Sequence, residues 1–393
     1  MFQDRYILAS ALQKSIRRGL TQYALRYSDI LGQQDYNYLI YRLGIILTED
    51  VGVSNTPLLN EYLDLKISKK SIDAAGGMDF IQNIITQACD SNKDRSSCDL
   101  AYFSSHLTEW SILKPEFKSL IDTPETERLS LVKSLITQNI NPALKVNLIW
   151  TALGQRKYPN DLLTNLNLFE FPKLKNGKND DSVDNFIQIL NTLGLNDAEI
   201  SATINAHATQ NEFMCLGMAL TYPERKNFII KSQKQDPLFQ PQIQTIDFSS
   251  DTTSLMKSNN THILNAAIDH HTSQGKAAYT MFLRTKNHYS DYMKSLGFSQ
   301  DTSNALFPFF MFRVEGHEVN KREYFPFAKT VMIMANQISL NRLLNLDFND
   351  KTYNFKDIAN VVKEQIPVIN AFREKSLNFG YQNNTNVRRG FSS

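Results

Sequence analysis

The sequence has little of what marks several large classes of protein. It has only three cysteines, Cys89, Cys98 and Cys215, without C-x-x-C spacing, which suits a reducing compartment better than a disulfide framework. Its 15 glycines and 12 prolines in 393 residues exclude collagen-like and low-complexity chains. Its longest apolar stretches, such as residues 38–47, fall far short of the roughly 20 residues that span a bilayer. These absences leave a globular protein with room for two or three domains.

An excess of charge of one sign is also absent. The formal net charge is +2, and 42% of the residues are hydrophobic. No global field therefore draws the whole protein onto nucleic acid or an anionic membrane, and such binding needs a local patch. The N-terminal residues carry Asp4 and lead into no apolar segment of the kind that a secretory signal requires. We expect a cytoplasmic protein without membrane contact, located in the host cytoplasm if it is viral. The abundance of asparagine is typical of an A+T-rich genome such as that of a virus.

The familiar catalytic signatures are missing as well. No G-x-x-x-x-G-K-[ST], H-E-x-x-H or G-x-S-x-G motif occurs. Gly275-Lys276 has His270 where the phosphate loop needs its first glycine, and Ala277 where it needs a magnesium-binding hydroxyl. The sequence therefore favours a non-enzymatic protein without a cofactor.

Helical periodicity dominates what is present. Apolar residues recur at three- and four-residue steps over residues 5–31, which predicts one helix that ends near Gly32. A second helix is predicted from Asp35 to a stop at Val51-Gly52, so that the two form a hairpin. Alternating strand patterns are scarce, with residues 242–248 as the best candidate. The predicted fold is mostly α and multi-helical.

Changes in composition predict the domain organisation. Residues 173–181 and 233–254 are polar and carry glycine or proline, as linkers do. The predicted segments are an N-terminal helical domain (1–115), a helical middle region (116–235), a linker (236–254), a C-terminal helical domain (255–380) and a basic mobile tail (381–393).

Basic residues form several small patches on this neutral chain. Lys14, Arg17 and Arg18 fall off the apolar stripe of the first helix, so we expect them to face solvent or a partner. Lys93 and Arg95 form another patch. Bases combined with aromatic side chains hold single-stranded nucleic acid without reading its sequence. These five residues are the predicted DNA contacts. For any single patch a solvated helix face is the favoured interpretation, and it is the patches together that indicate nucleic-acid binding.

Two acids at the predicted end of the second helix break a local rule. Glu49 and Asp50 lie in its last turn, where the helix dipole disfavours negative charge. Arg42, or a base of the preceding helix, could supply the countercharge in a buried ion pair. Alternatively, the acids could form a surface for another chain.

Two constellations suggest a metal. Asp269-His270-His271 brings together residue types that some metal-dependent phosphoesterases use. Adjacent side chains on a helix point about 100° apart, however, so a structural or partner-contacting role is favoured. Cys89 and Cys98, with His106 nearby, lack a fourth zinc ligand at a sensible spacing. We therefore predict no metal site.

Five stretches resemble a known family. The run from Ala11 to Gly19 (A-L-Q-K-S-I-R-R-G), residues 38–43, and Thr48-Glu49-Asp50-Val51-Gly52 occur in the order and spacing of the C-terminal helical region of clamp-loader-like AAA+ replication-associated recombination proteins. Short phage and plasmid proteins keep that region alone. Residues 93–99 resemble the downstream K-S-R segment of the family, and residues 267–276 (A-I-D-H-H-T-S-Q-G-K) resemble an A-L-D-x-H-T-x-x-G-[KR] stretch of the short members. Thr48 departs from the small residue usual there, and residues 110–255 have no counterpart.

The resemblance implies a helical oligomerising collar without an ATPase core. It marks Asp269, His271, Thr272, Gly275 and Lys276 as family-motif residues, and it gives the Asp-His-His stretch a role that needs no metal. We expect a phage-encoded, oligomeric accessory protein of DNA replication or recombination that binds single-stranded DNA or replication proteins. The alternatives are a metal-dependent nucleotide or phosphodiester hydrolase that uses Asp269, His270 and His271, and a polymerase-binding modulator that does not contact DNA.

Overall fold

A computed structural model describes most of the chain. The described residues are 4–107, 111, 113–153, 181–235, 266–316, 319–344 and 356–389. The predicted linkers (173–181 and 236–254) and the candidate strand at 242–248 lie outside these ranges, apart from Asp181.

The described residues are mostly helical, which confirms the predicted fold class. The helices of the first part of the chain are α1 (Arg5–Arg17), α2 (Thr21–Ile46), α3 (Thr56–Leu63), α4 (Lys69–Ala74), α5 (Met78–Asp90), α6 (Ser96–His106), α7 (Pro115–Asp122), α8 (Glu125–Ile136) and α9 (Pro142–Ala152). A π-turn (Leu47–Val51) and a 3₁₀ turn (Gly52–Asn55) follow α2. Pairing of extended backbone in these ranges is limited to an isolated bridge between Lys93 and Arg322.

The later helices continue the same architecture. They are α10 (Asp181–Thr192), α11 (Asp197–Asn205), α12 (Glu212–Gln235), α13 (Ser273–Leu283), α14 (His288–Ser295), α15 (Gln300–Met311), α16 (Pro326–Leu344) and α17 (Lys356–Arg389). A second π-turn, Phe312–Gly316, follows α15. Helix α17 includes most of the segment that the sequence predicted as a tail. No helix in the described part of the chain is long and apolar enough to cross a membrane.

The chain divides into two units, each built from separate stretches of sequence. Unit 1 comprises Met1–Leu39, Phe248–Asn320 and Gln337–Ser393, and unit 2 comprises Ile40–Asp247 and Lys321–Asn336. This division differs from the predicted one, in which residues 1–115 form one domain, because α1 shares a unit with helices from the C-terminal part of the chain.

The helix predicted over residues 5–31 is interrupted earlier than expected. Gly19 adopts a positive φ of 69°, its N–H donates to Ile16, and the N–H of Leu20 donates to Ser15 at 2.9 Å. This is the Schellman arrangement that ends α1. The break predicted near Gly32 is instead a kink in α2 at Asp35, where φ is −155°. The prediction of one continuous helix was wrong because the turn at Gly19 satisfies the terminal carbonyls.

The core of unit 1 is aromatic. Helices α13, α14 and α15 pack against α17 around Phe282, Tyr289 and Phe307, all fully buried. The rings of Phe282 and Phe307 stack at 5.0 Å. Burial of each such side chain is worth about 1.5 to 3 kcal/mol and fixes the position of α13, which bears the motif residues Gly275 and Lys276.

Unit 2 is held by close helix packing. Helix α12 lies against α6, with α9 contacting both. Gly217 of α12 permits the approach, because a Cβ there would collide with the carbonyl oxygen of Ser97 at the start of α6. The loop before α6 is thereby fixed, and it carries Lys93, Asp94 and Arg95.

Candidate functional site

The predicted DNA contact Lys14 is a buried residue of unit 1. It is 5% exposed, and its ammonium group donates to Asp269 at 2.5 Å, to Ser10 at 3.3 Å and to the carbonyl of Ala266. Burial lowers the pKa of Lys14 to about 8, against the attraction of Asp269. Burial also disfavours the ionised Asp269, but Lys14 holds the pKa of that carboxyl below its usual range. Lys14 therefore fixes the 266–269 segment to α1.

The two neighbouring arginines also contact the protein itself. Arg17 is 4% exposed, and its carbonyl accepts from the N–H of Asn320 at 3.0 Å. Arg18 is half-buried and donates to the carbonyl of Glu315 at 2.9 Å. The expectation that Lys14 and Arg17 face solvent was wrong, because residues distant in sequence cover this side of α1.

A buried arginine that the sequence analysis did not single out lies in the same unit. Arg373 of α17 is 0% exposed and binds both carboxylate oxygens of Glu315, at 3.0 and 2.6 Å. It also donates to the hydroxyl of Tyr279 at 3.1 Å. Burial opposes the charge of Glu315, but Arg373 holds the pKa of that carboxyl below its usual range. Arg373 of α17 therefore holds both the second π-turn (Phe312–Gly316), through Glu315, and α13, through Tyr279.

The family-motif stretch forms a turn and a helix cap. The carbonyl of Asp269 accepts from both the N–H and the hydroxyl of Thr272, at 2.9 Å each, and the carboxylate accepts from the N–H of His271 at 2.9 Å. Thr272 then caps α13 by accepting from the N–H of Gly275 at 3.0 Å. A Cβ at Gly275 would collide with the carbonyl of Asp269. Lys276 is exposed. Four of the five motif residues thus build this turn.

The Asp-His-His stretch does not converge on a metal position. Asp269 is engaged by Lys14, the rings of His270 and His271 lie 3.8 Å apart at a tilt of 41°, and both lie edge-on to Phe312. Burial lowers the pKa of His270 to about 4, so the ring is neutral at pH 7. In the described ranges no group of three or more His, Cys, Asp or Glu residues could hold a metal ion.

The predicted zinc constellation of Cys89, Cys98 and His106 has other contacts. Cys89 is buried and forms no disulfide, and the thiol of Cys98 accepts a hydrogen bond from Arg95 at 3.7 Å. Burial raises the pKa of the Cys98 thiol to about 12. Nδ1 of His106 is hydrogen-bonded to the carbonyl oxygen of Tyr102 at 2.7 Å.

Arg95 and Asp50 form a buried ion pair in unit 2. Asp50 lies in the π-turn that follows α2 and is 0% exposed, and Arg95 is 5% exposed. One guanidinium nitrogen of Arg95 donates to the Asp50 carboxylate and, at 3.4 Å, to the carbonyl of Glu49. Burial alone would lower the pKa of Arg95, but the attraction of Asp50 raises it above its ordinary value. Arg95, which the sequence predicted as a DNA contact, thus supplies the countercharge of Asp50. The sequence had suggested Arg42 for that role. The pairing of Arg42 with these acids stays a prediction.

Lys93 is likewise internal. It is 0% exposed, and its ammonium group donates to the carbonyls of Cys89 and Ser91, at 3.1 and 2.5 Å, at the C-terminus of α5. Burial lowers the pKa of Lys93 to about 8. Its backbone pairs with Lys321 and Glu323, at 3.0 and 2.8 Å. Both Lys93 and Arg95, predicted as DNA contacts, are therefore buried in this conformation.

Asp94 carries the least satisfied charge in this cluster. Its Oδ1 accepts from the N–H and hydroxyl of Ser96, but Oδ2 is buried without a hydrogen-bond partner among the described residues. Burial, together with the nearby Glu323, raises the pKa of Asp94 to about 6. Glu323 is held by Arg225 in a two-pronged pair at 2.6 and 2.8 Å.

A cavity of about 400 Å³ opens in unit 1 beside the family-motif turn. Its lining residues are His270, Lys276, Tyr279, Thr280, Leu283, Arg284, Asn304 and Pro308. Lys276 is the only one of the predicted motif residues that contributes to this wall. Arg284 and Asn304 were not predicted; the one available signal was the spacing of Lys276, Thr280 and Arg284 at four-residue steps along a helix.

A comparison with known proteins finds no matching family model, no matching curated protein and no matching solved structure.

Proposed function

We propose that this chain is a non-enzymatic accessory protein of DNA replication or recombination, which assembles with copies of itself and binds single-stranded DNA or replication proteins. The proposal rests on the resemblance to the helical region of clamp-loader-like recombination proteins. One observation of the structure supports it: the charged residues of the resembling stretches meet in pairs. Lys14 binds Asp269, 255 residues away, and Asp50 binds Arg95, 45 residues away.

The pairing explains why these residue types recur together. A buried ammonium or guanidinium group is costly unless a carboxylate compensates it, so each motif charge needs its partner from another motif. The stretches therefore act as mutually dependent parts of one fold. A structural role of the motif charges is consistent with a non-enzymatic protein that acts by binding DNA or other proteins.

Because these bases are buried, other residues must make any direct contact with DNA. Lys14, Lys93 and Arg95 already donate to carboxylates or carbonyls within the protein, so none of them is available to a phosphate in this conformation. Direct DNA binding then requires exposed bases. Lys276 and Arg284 of unit 1 are exposed and have no ion-pair partner among the described residues.

Two measurements on the purified full chain test the proposal. Light scattering should show an oligomer at micromolar concentration, with a tetramer as the size implied by the resemblance. Fluorescence anisotropy with a labelled oligothymidine should show binding that weakens with salt, with a logarithmic slope of roughly −2 to −3.5 for three to five phosphate contacts on a single strand. A monomer that binds no DNA would overturn the proposal.

The same preparations separate the alternatives. An oligomer that binds no DNA even at low salt would favour a modulator that contacts a polymerase alone. Cleavage of the oligonucleotide that requires a divalent metal, and that is lost in both His270→Gln and His271→Gln, would replace the proposal with the hydrolase. A Lys14→Met variant is the control for loss of cleavage that results from lost stability alone. We expect this variant to be destabilised because it leaves the buried Asp269 unpaired.

A further inference from the structure

The cavity in unit 1 has walls of a particular chemistry. Helix α13 supplies Lys276 and Thr280, and its C-cap residue is Arg284. These three residues follow at four-residue steps, which places them on one face. Tyr279 and Leu283 flank that row. Helix α15 supplies Asn304 and Pro308, again four residues apart, and the turn before α13 supplies His270.

The charged side chains among the described lining residues are both positive. They are Lys276 and Arg284, and none of the described lining residues is an aspartate or glutamate. The nearest acids named above are already engaged, since Asp269 pairs with Lys14 and Glu315 pairs with Arg373. An anion in the cavity would therefore meet two cations without competition from a lining carboxylate.

Hydrogen-bond donors are available beside the bases. The side-chain oxygen of Asn304 accepts from Gln300 at 2.9 Å, which leaves its NH₂ group to donate into the cavity region. The hydroxyl of Tyr279 accepts from Arg373, so its own proton is free to donate. Nδ1 of His270 is buried without a hydrogen-bond partner in the described part of the chain.

The remaining wall is apolar, and the size is that of a small ligand. Leu283, Pro308 and the ring of Tyr279 offer surface for an uncharged, planar body. A volume of about 400 Å³ lies within the usual range of ligand sites and exceeds what a lone phosphate ion needs.

We propose that this cavity binds a nucleotide-sized phosphate ester, with the phosphate between Lys276 and Arg284 and the nucleoside against Leu283 and Pro308. The phosphate could belong to a free nucleotide or to the 5′ end of a DNA strand. Naming a DNA strand as one source of the phosphate rests on the proposed function. The proposal that the cavity binds a phosphate ester does not depend on that function.

The test uses the full chain and two probes. Thymidine monophosphate is titrated calorimetrically, and an oligothymidine with or without a 5′ phosphate is followed by anisotropy. The variants are Lys276→Met and Arg284→Met, which remove one charge each from exposed positions. The matched controls are Lys294→Met and Lys363→Met, which remove one charge from exposed positions of the same unit outside the cavity.

We expect each cavity variant to weaken binding about tenfold to a hundredfold, as the loss of a charge-assisted hydrogen bond does, and the controls to bind as the wild type. Lys276→Arg should restore most of the affinity. Thermal unfolding should be unchanged in all variants, because these side chains are exposed. Tighter binding of the phosphorylated than of the unphosphorylated strand would identify the strand end as the source, and binding of the mononucleotide without that difference would identify the free nucleotide.

Other results overturn the inference. No binding of either probe, or equal losses in cavity and control variants, would show that the cavity is not a phosphate site. Strand binding that is independent of Lys276 and Arg284 would remove the cavity but keep the proposed function. Mononucleotide binding in the cavity by a monomer that binds no strand would keep the cavity and remove the proposed function.

Discussion

Two buried aspartates of unit 2 should respond in opposite ways to the same substitution. Asp50 and Asp94 are both 0% exposed. Asp94 lies in the loop that leads into α6, and Asp50 contacts that loop through Arg95. Asp50 is paired with the guanidinium group of Arg95, whereas Asp94 has one oxygen without a partner among the described residues and faces the negative charge of Glu323. Asp→Asn removes one negative charge at each position with little change in volume.

The expected magnitudes follow from these surroundings. Asp50→Asn leaves the buried charge of Arg95 uncompensated, which we expect to lower the free energy of unfolding by about 3 to 5 kcal/mol. For Asp94, a pKa raised from 3.8 to about 6 means that keeping the carboxylate ionised at pH 8 costs about 3 kcal/mol. Asp94→Asn removes that cost and keeps the oxygen that accepts from Ser96, so we expect it to be at least as stable as the wild type.

The pH dependence provides a second readout. A carboxyl whose pKa is raised on folding contributes stability below its unfolded pKa, and this stability is lost as the pH rises through the folded pKa. Asp94 should therefore make the wild type lose stability between about pH 4 and pH 6. The Asp94→Asn variant should lack that loss.

Urea unfolding followed by tryptophan fluorescence is the appropriate assay. Trp150 is buried in unit 2, and the other tryptophan, at position 110, lies in the same stretch of sequence, so the signal reports on this unit. Glu49→Gln is a neighbouring control with the same charge change at a half-buried position. Equal destabilisation by Asp50→Asn and Asp94→Asn, or none by Asp50→Asn, would refute this account of the buried charges.

Three further substitutions test other parts of the structure. Asp269→Asn should lower the free energy of unfolding by about 3 kcal/mol, measured by urea unfolding followed by circular dichroism, because the buried ammonium group of Lys14 loses its counterion. Gly217→Ala should lower the melting temperature of unit 2 through its collision with the carbonyl of Ser97, with a cost of about 1 to 3 kcal/mol. The pKa of His270 is lowered to about 4 in the folded chain, so stability should be lost as the pH falls from 6.5 through 4, and the difference in stability between pH 7 and pH 5 should be smaller in His270→Gln than in the wild type.

Local patterns predicted the fold class but not the course of the first helices. The three- and four-residue spacing of apolar side chains correctly indicated a helical protein, since that spacing is a property of each helix alone. The end of α1 was missed because Gly19 follows two arginines that continue the helical pattern. Its positive φ becomes decisive only when the turn closes on Ser15 and Ile16.

The partners of the buried charges could not be predicted from spacing. Lys14 pairs with a residue 255 positions away, and Arg373 pairs with Glu315, 58 positions away. Neither distance corresponds to a helical or turn period, so only the tertiary structure brings these groups together. The resemblance did single out both Lys14 and Asp269, although nothing in either stretch alone indicates that they meet.

The error over the bases has a physical cause that bears on the function. A basic side chain that lies off the apolar stripe of a helix is expected to be exposed to solvent, because an amphipathic helix buries only its apolar face. When a second segment covers the other face, the same base becomes an internal countercharge, as Lys14 is for Asp269. Motif bases of this kind stabilise the fold, and the bases that remain for ligands are those the tertiary structure leaves exposed. Lys276 and Arg284 meet that condition on one face of α13, so we expect a phosphate to be bound there rather than at Lys14.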